Sequence, residues 1–274
     1  MDKSDFIDLS IQDFTVKDPW ENLKLFTDAR IAMGRTGSSV LTDDYLKFSL
    51  AHARARDTIN QPFKRDKIAD ELKQMGLDTI YVESSAISRS IFIRRPDLGR
   101  KLSFESRERL KKLNYPGSDV LLVIGDGLSS KAVHKQAVPL IRHFLPYMEE
   151  LGLSVAPVVL ANQSRVALGD DIAEMMHCGL VAILIGERPG LSSPDSLGVY
   201  ITYKPYLGRL ESERNCISNI RPEGLNYEKA AFKMAWLIEA AYDLGVSGTA
   251  LKDESEDPSC YRQLKPHKSP LALE

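Results

Sequence analysis

Cysteine is scarce in this chain, which has only three in 274 residues, Cys178, Cys216 and Cys260. They are far apart, odd in number and not arranged as CxxC, so neither a disulfide framework nor a structural zinc site is expected. Widely spaced single thiols are typical of a reducing compartment. The cysteine usage therefore favours a cytoplasmic protein.

Long apolar runs and an excess of either charge are also missing. The longest apolar stretches, 120–124 and 180–185, are far shorter than the roughly 18 residues that a membrane helix needs. The amino-terminal segment lacks the apolar core of a secretory signal. Lys and Arg number 36 against 38 Asp and Glu, so no basic surface for nucleic acid is indicated. The sequence predicts a soluble protein with neither a membrane nor a nucleic-acid partner.

Signatures of a self-sufficient active site are missing as well. The five histidines form no HExxH pattern, and neither GxSxG nor GxxxxGK[ST] occurs. Cys216 has no histidine close to it in the sequence, which favours a small buried hydrophobic residue over a nucleophile. We therefore predict no catalytic residue and no metal site in this chain.

The chain changes character at a turn-forming segment, residues 114–118, with the sequence Asn-Tyr-Pro-Gly-Ser. Residues 1–19 have no regular pattern and are either a loose terminus or a docking or encapsulation peptide. Residues 20–115 are predicted to form a smaller, mainly helical domain, with Thr42 as the N-cap of one helix. Residues 116–274 are predicted to form a separate α/β domain.

The predicted α/β domain alternates short apolar runs with helical segments. The runs are 119–124, 155–160, 180–185 and 197–203, and the longest helix is expected over 223–244. Another helix follows residue 127, and Pro139 and Pro146 are expected to break or kink it. Buried strands that alternate with helices indicate a Rossmann-like parallel sheet with helices on both faces.

Polar or glycine-rich loops follow these strands, at the edge where open parallel sheets bind ligands. The first loop is not a dinucleotide fingerprint, because Ser130 replaces the third glycine and Asn162 replaces the expected acid. Its backbone amides still suit a phosphate or amide group. Glu187 is open to three interpretations: a general base, a ligand acceptor or an ion-pair partner of Arg188. Val166 would ordinarily be a core residue.

Several stretches, taken together and in order, carry a resemblance to a known family. They are residues 26–37, 52–57, 95–100, 125–129, 184–191 and 216–222. The most specific are Leu-Ile-Gly-Glu-Arg-Pro-Gly-Leu at 184–191 and Cys-Ile-Ser-Asn-Ile-Arg-Pro at 216–222. In this order they resemble the small subunit of ethanolamine ammonia-lyase, over roughly residues 20–253.

The resemblance implies a subunit that helps to bind adenosylcobalamin at an interface with a large catalytic subunit. By matching motif, Val166, Glu187 and Cys216 are the expected cobalamin-contacting positions. The complex is expected to convert ethanolamine to acetaldehyde and ammonia by radical chemistry, within a bacterial microcompartment. No DxHxxG motif occurs, so the cofactor's own benzimidazole is expected on cobalt unless the large subunit supplies a ligand. A lone Rossmann-like enzyme and a scaffold without ligand contact are the alternatives.

Overall fold

A computed structural model of the chain describes residues 15–27 and 29–256. Residues 1–14, most of the segment predicted to be irregular, lie outside the described residues. The chain divides into two compact units between Ala55 and Arg56.

The amino-terminal unit holds a small antiparallel sheet and the beginning of a long helix. Its strands are β1 (Thr15–Val16), β2 (Arg35–Thr36) and β3 (Ser39–Val40), paired in that order. Helix α1 (Thr42–Ile59) begins at Thr42, the residue predicted to cap it, and crosses the division between the units. A single turn of 3-10 helix occupies Glu21–Leu25.

The second unit is a mixed α/β structure built on one six-stranded sheet. Its strands are β4 (Thr79–Glu83), β5 (Ser118–Gly125), β6 (Val158–Asn162), β7 (Cys178–Gly186), β8 (Leu197–Tyr203) and β9 (Asn215–Ile220). Its helices are α2 (Arg65–Gln74), α3 (Arg89–Arg94), α4 (Phe104–Leu113), α5 (Ser130–Leu151), α6 (Leu168–Met175) and α7 (Tyr227–Leu244). The strands lie in the order β4-β6-β5-β7-β8-β9.

Only four of the six strands are parallel, which corrects the expectation of an all-parallel sheet. Strands β4, β6, β5 and β7 are parallel, whereas β8 and β9 pair antiparallel. The reason is the connection 187–196, which contains no helix, because a parallel return needs a crossover of a dozen or more residues. Strand β4 joins this sheet from within the segment 20–115. The domain boundary after residue 115 stays a prediction.

Strand β5 shows why the central runs are apolar throughout. Val120, Leu122 and Ile124 point into one core and Leu121 and Val123 into the other, and all five are fully buried. Helices α2, α5 and α7 cover the first face, and α4 and α6 cover the second. A strand that is buried on both faces has no solvent-facing positions, so its side chains are apolar throughout and do not alternate with polar ones.

Helix α5 continues through both of its prolines, Pro139 and Pro146. The predicted break is absent because the helix buries an apolar face along its length, including Val133, Leu140 and Phe144. Tertiary burial of such a face stabilises a helix more than local propensity does.

Candidate functional site

A cleft of about 380 Å³ lies at the carboxyl ends of the parallel strands. Helix α5 leaves β5 on one face of the sheet and α6 leaves the adjacent β6 on the other, so the loops after these strands diverge. Such a divergence is where open α/β sheets bind ligands. The lining residues include Leu128, Arg165, Val166, Ile185, Glu187 and Tyr200.

Two of the three residues predicted to contact a cofactor line this cleft directly. Val166 follows β6, and Glu187 follows β7. The third, Cys216, lies on β9 opposite Tyr200 of β8, and Tyr200 lines the cleft. The structure therefore brings Val166 and Glu187 together and places Cys216 beside a residue of the same cleft.

The carboxylate of Glu187 is held by three donors from two other segments. The hydroxyls of Ser196 and Ser218 donate to its oxygens, and the backbone N–H of Asn219 donates to Oε2 at 3.3 Å. An ion pair with Arg188 is not among those that the structure gives for residues 15–27 and 29–256. Glu187 is therefore oriented by hydroxyl and amide donors and remains half-buried at the cleft.

Cys216 is an exposed residue of an edge strand, not the buried hydrophobic residue that its sequence context favoured. Neighbouring atoms desolvate the thiol and raise its pKa, although hydrogen bonds with Tyr200 and Ser218 oppose the shift. A thiol with a raised pKa stays protonated at neutral pH and is a poor nucleophile. Its chemistry suits packing against a ligand.

The loop that carries Val166 is anchored by the residue before it. The backbone N–H of Arg165 donates to the Gly99 carbonyl at 2.8 Å. Its guanidinium donates to the Phe92 carbonyl at 3.2 Å and stacks over the Phe92 ring, with 4.3 Å from Cζ to the ring centroid. These contacts hold the loop before α6 against Phe92 and Gly99.

A buried carboxylate joins the loops after β5 and β6. Asp126 accepts the N–H of Ser164 at 2.9 Å and pairs with Arg89 of α3 at 3.1 Å. Arg89 also donates to the Gly127 carbonyl at 2.8 Å. Burial raises the pKa of Asp126 to about 6, although Ser164 and Arg89 oppose the shift. The loops therefore share a polar anchor beneath the cleft.

Gly127 lets the loops after β5 and β7 touch through their backbones. Its φ is +54°, and a Cβ placed there would lie 2.3 Å from the carbonyl oxygen of Gly186. The N–H of Leu128 donates to that same oxygen at 2.9 Å. Only glycine fits both the left-handed conformation and the close approach.

The sequence analysis did not identify Ser196, Tyr200 or Ser218 as site residues. The segment that carries Ser218 is the edge strand β9. Had it been assigned as a strand, the i, i+2 spacing of Cys216 and Ser218 would have placed both on one face. Ser196 offered no signal, because its role depends on where Glu187 lies.

Among the described residues, no group of three or more His, Cys, Asp or Glu is arranged to hold a metal ion. None of the helices in residues 15–27 and 29–256 has the length and hydropathy needed to cross a membrane.

Comparison with known proteins gives a consistent result over most of the chain. The family model of the ethanolamine ammonia-lyase light chain (EutC) matches residues 17–252. The chain belongs to this family. The ethanolamine ammonia-lyase small subunit of Rhodopseudomonas palustris (strain BisA53) is 49% identical over 234 residues, which cover 85% of this chain and 90% of the relative. Those of Xanthomonas campestris pv. campestris (strain B100) and Azotobacter vinelandii (strain DJ) are 44% and 45% identical, and each alignment covers 88% of this chain and 90% of the relative.

Membership of the ethanolamine ammonia-lyase light-chain family confirms the resemblance drawn from the ordered motifs. The matched region contains all three loops that form the cleft. Proteins of this family are subunits of ethanolamine ammonia-lyase.

Proposed function

We propose that this chain is the small subunit of an adenosylcobalamin-dependent ethanolamine ammonia-lyase, and that its cleft helps to bind the cofactor at the interface with the large subunit. The observation that carries the proposal is the convergence of three segments. Val166 and Glu187 line one cleft, and Cys216 lies beside Tyr200 of that cleft. Four parallel strands with helices on both faces support a Rossmann-like interpretation of this unit.

The chemistry of the cleft fits an amide-edged, mostly apolar disc such as cobalamin. Leu128, Val166 and Ile185 provide apolar surface, and the Glu187 carboxylate provides an acceptor for amide N–H groups. The cleft is near the lower end of the roughly 300–1,000 Å³ that pockets for small ligands occupy. Cobalamin is much larger than such ligands, so this chain covers only part of it and a partner has to cover the rest.

The role that we assign to this chain is binding and orientation. When bound, adenosylcobalamin supplies the radical chemistry by which the complex converts ethanolamine to acetaldehyde and ammonia. Ser196, Ser218 and Asn219 fix the Glu187 carboxylate before the cofactor arrives. Preorganised acceptors lower the entropic cost of binding. We assign no proton-transfer step to any residue of this chain.

A surface for the large subunit is available on the amino-terminal unit. Trp20, Leu25 and Phe26 are 67%, 82% and 84% exposed. Tyr45, Leu46 and Leu50 of α1 are also exposed. The common feature of these residues is a large apolar side chain left exposed within residues 20–50. We assign this surface to the large subunit, which a small subunit requires.

The proposal is tested by measuring acetaldehyde release from ethanolamine in the presence of adenosylcobalamin. Three preparations are compared: this chain alone, the large subunit alone, and the two co-expressed. We expect activity only from the co-expressed pair. Activity of this chain alone, or no gain from adding it, would contradict the proposal. Tight binding of a nicotinamide cofactor by the lone chain would then support a free-standing Rossmann-like enzyme.

We also propose that the complex resides in a bacterial microcompartment and that residues 1–19 are the segment that targets it there. The support is the family resemblance alone, since residues 1–14 lie outside the described residues. Deletion of residues 1–19 should abolish encapsulation in cells that make the compartment. Unchanged encapsulation would remove the idea without affecting the proposed enzymatic role.

A further inference from the structure

A fully buried ion pair joins α6 to the beginning of β9. Nη1 of Arg214 lies 2.5 Å from Oδ2 of Asp170, and the two side chains are 1% and 2% exposed. Arg214 also donates to Thr202 Oγ1 of β8 at 3.2 Å and to the Arg209 carbonyl at 2.8 Å. Its Nε pairs with Glu211 at 3.2 Å. The guanidinium therefore contacts α6, β8 and the connection between β8 and β9 at once.

Asp170, Arg214 and Thr202 are each close in sequence to a cleft residue or to Cys216 beside the cleft. Asp170 follows Val166 by four residues, and Arg214 precedes Cys216 by two. Thr202 follows Tyr200 by two residues on β8, so both side chains lie on the same face of the sheet. The pair thus spans the separation between the segments that carry Val166 and Cys216.

Stability alone does not account for this arrangement. Burial raises the pKa of Asp170, against the effect of Arg214, and Oδ1 of Asp170 has no hydrogen-bond partner among the described residues. Apolar residues of similar volume often stabilise a core as well as a buried ion pair does. What the pair adds is geometry, because a planar guanidinium fixes several acceptors at set directions.

We propose that Asp170 and Arg214 are positioning residues for the cobalamin cleft, which set the placement of Val166 relative to Tyr200 and Cys216. This inference rests on the proposed function. Neither residue touches the cofactor in this scheme. They act by fixing α6 against β8 and β9, on the face where Val166 and Tyr200 pack against one apolar cluster.

The next residue on α6 provides a matched control. Asp171 is also fully buried, accepts the Leu102 N–H at 2.9 Å and pairs with Arg107 at 2.5 Å. Its partners lie on α4 and on the segment before it, not on β8 or β9. Asp171→Asn therefore removes a comparable buried charge from the same helix without releasing the cleft.

The test compares Asp170→Asn and Asp171→Asn in the complex with the large subunit. The equilibrium dissociation constant for cyanocobalamin is measured by its absorption change, alongside thermal unfolding. We expect both variants to lose stability, and only Asp170→Asn to weaken cobalamin binding, by about tenfold, as coupled neighbours in one network do. In turnover assays its effect should fall on the KM for adenosylcobalamin more than on kcat. Arg214→Gln combined with Asp170→Asn should weaken binding no further than Asp170→Asn.

The milder variant Thr202→Val keeps the charges of Asp170 and Arg214. It tests the inference if the Asp170→Asn variant does not assemble with the large subunit. We expect it to weaken cyanocobalamin binding by roughly threefold, because it removes one hydrogen bond to Arg214. Equal affinities for the Asp170 and Asp171 variants, or wild-type affinity for Thr202→Val, would overturn the inference. Absence of cobalamin binding by the wild-type complex would instead overturn the proposed function.

Discussion

The Glu187 carboxylate illustrates how one residue acquires a role from its surroundings. Its acceptors are already engaged by two hydroxyls and one amide, and it still lines the cleft. A carboxylate held in this way has lost its rotamer freedom before a ligand binds. Because the carboxylate is fixed in place, replacing it by a neutral amide tests how much its charge contributes to ligand binding.

Replacement of Glu187 by Gln should weaken cobalamin binding to the complex by about tenfold, because a hydrogen bond to a charged acceptor contributes roughly 1.5–3 kcal/mol. The measurement is the dissociation constant for cyanocobalamin. Glu83→Gln is the matched control, since Glu83 also ends a parallel strand but pairs with Arg65 outside the cleft. Equal affinities of the two variants would contradict the site assignment.

The variant Cys216→Trp tests the same site by adding a bulky side chain. The side chain is exposed beside Tyr200, so the larger ring should leave folding intact and obstruct the ligand surface. We expect cobalamin affinity to fall by at least about tenfold, as steric blocking of a binding contact commonly does. Cys216→Ser, which preserves size, should retain binding. Unchanged affinity of Cys216→Trp would favour the scaffold without ligand contact.

Asp126 gives the chain a predictable pH dependence. Its pKa is raised from 3.8 to about 6 by burial, so between these values the folded chain binds more protons than the unfolded chain. Stability from this group therefore falls as pH rises from about 4 to about 6 and is constant above. The free energy of unfolding of the wild type relative to Asp126→Asn should fall by about 3 kcal/mol over this window.

Urea unfolding of the full chain between pH 4 and pH 7 measures this difference. Asp97→Asn is the control of opposite sign, because the hydrogen bond with Arg95 lowers the pKa of Asp97. For that exposed pair the wild type should gain stability relative to the variant as pH rises. If the difference in unfolding free energy between the wild type and Asp126→Asn did not change with pH, burial would not disfavour the charge of Asp126.

At the scale of elements, the loops after β5, β6 and β7 form one assembly through backbone contact and the Asp126 anchor. Gly127 is the position where this assembly depends on the absence of a side chain. Helix α5 begins directly beyond it, and the Ser129 hydroxyl caps that helix by accepting the Ala132 N–H at 3.1 Å. Strand, turn and cap are therefore coupled over a few residues.

Gly127→Ala should destabilise the chain by clearly more than Gly76→Ala. Both glycines have positive φ, +54° and +79°, but nothing lies within 4 Å of a Cβ at Gly76. The Gly76 variant should cost about 1 kcal/mol from backbone conformation alone. The excess cost at Gly127, measured by denaturant unfolding, reports the clash with the Gly186 carbonyl. Equal losses of stability in the two variants would mean that the loops after β5 and β7 can move apart without cost.

At the scale of the whole molecule, the exposed apolar side chains of the amino-terminal unit are the surface that we propose for the large subunit. Replacing Leu25 and Phe26 by Ser should weaken co-elution with the large subunit by about tenfold or more, since buried apolar anchors dominate interfaces. Thermal unfolding of the lone chain should hardly change, because both side chains are exposed. Lys24→Ser, in the same turn, is the control. Unaltered co-elution would place the interface elsewhere.

Much of this protein is determined by the sequence itself. Helix α7 ends at the predicted residue, Leu244, and Gly245 terminates it because a φ of +71° suits glycine. The continuous apolar runs predicted buried strands, and the ordered motifs identified the family. These signals are local, since propensity, capping and turn chemistry act within a few residues.

The tertiary structure decided what depends on distant segments. The antiparallel β8 and β9, the donors that hold Glu187 and the exposure of Cys216 follow from contacts between residues that lie 9 to 32 positions apart. The Asp170–Arg214 pair joins residues separated by 44 positions. No local pattern encodes such contacts, because strand register and side-chain partners are set only when the whole sheet assembles and buries its two faces.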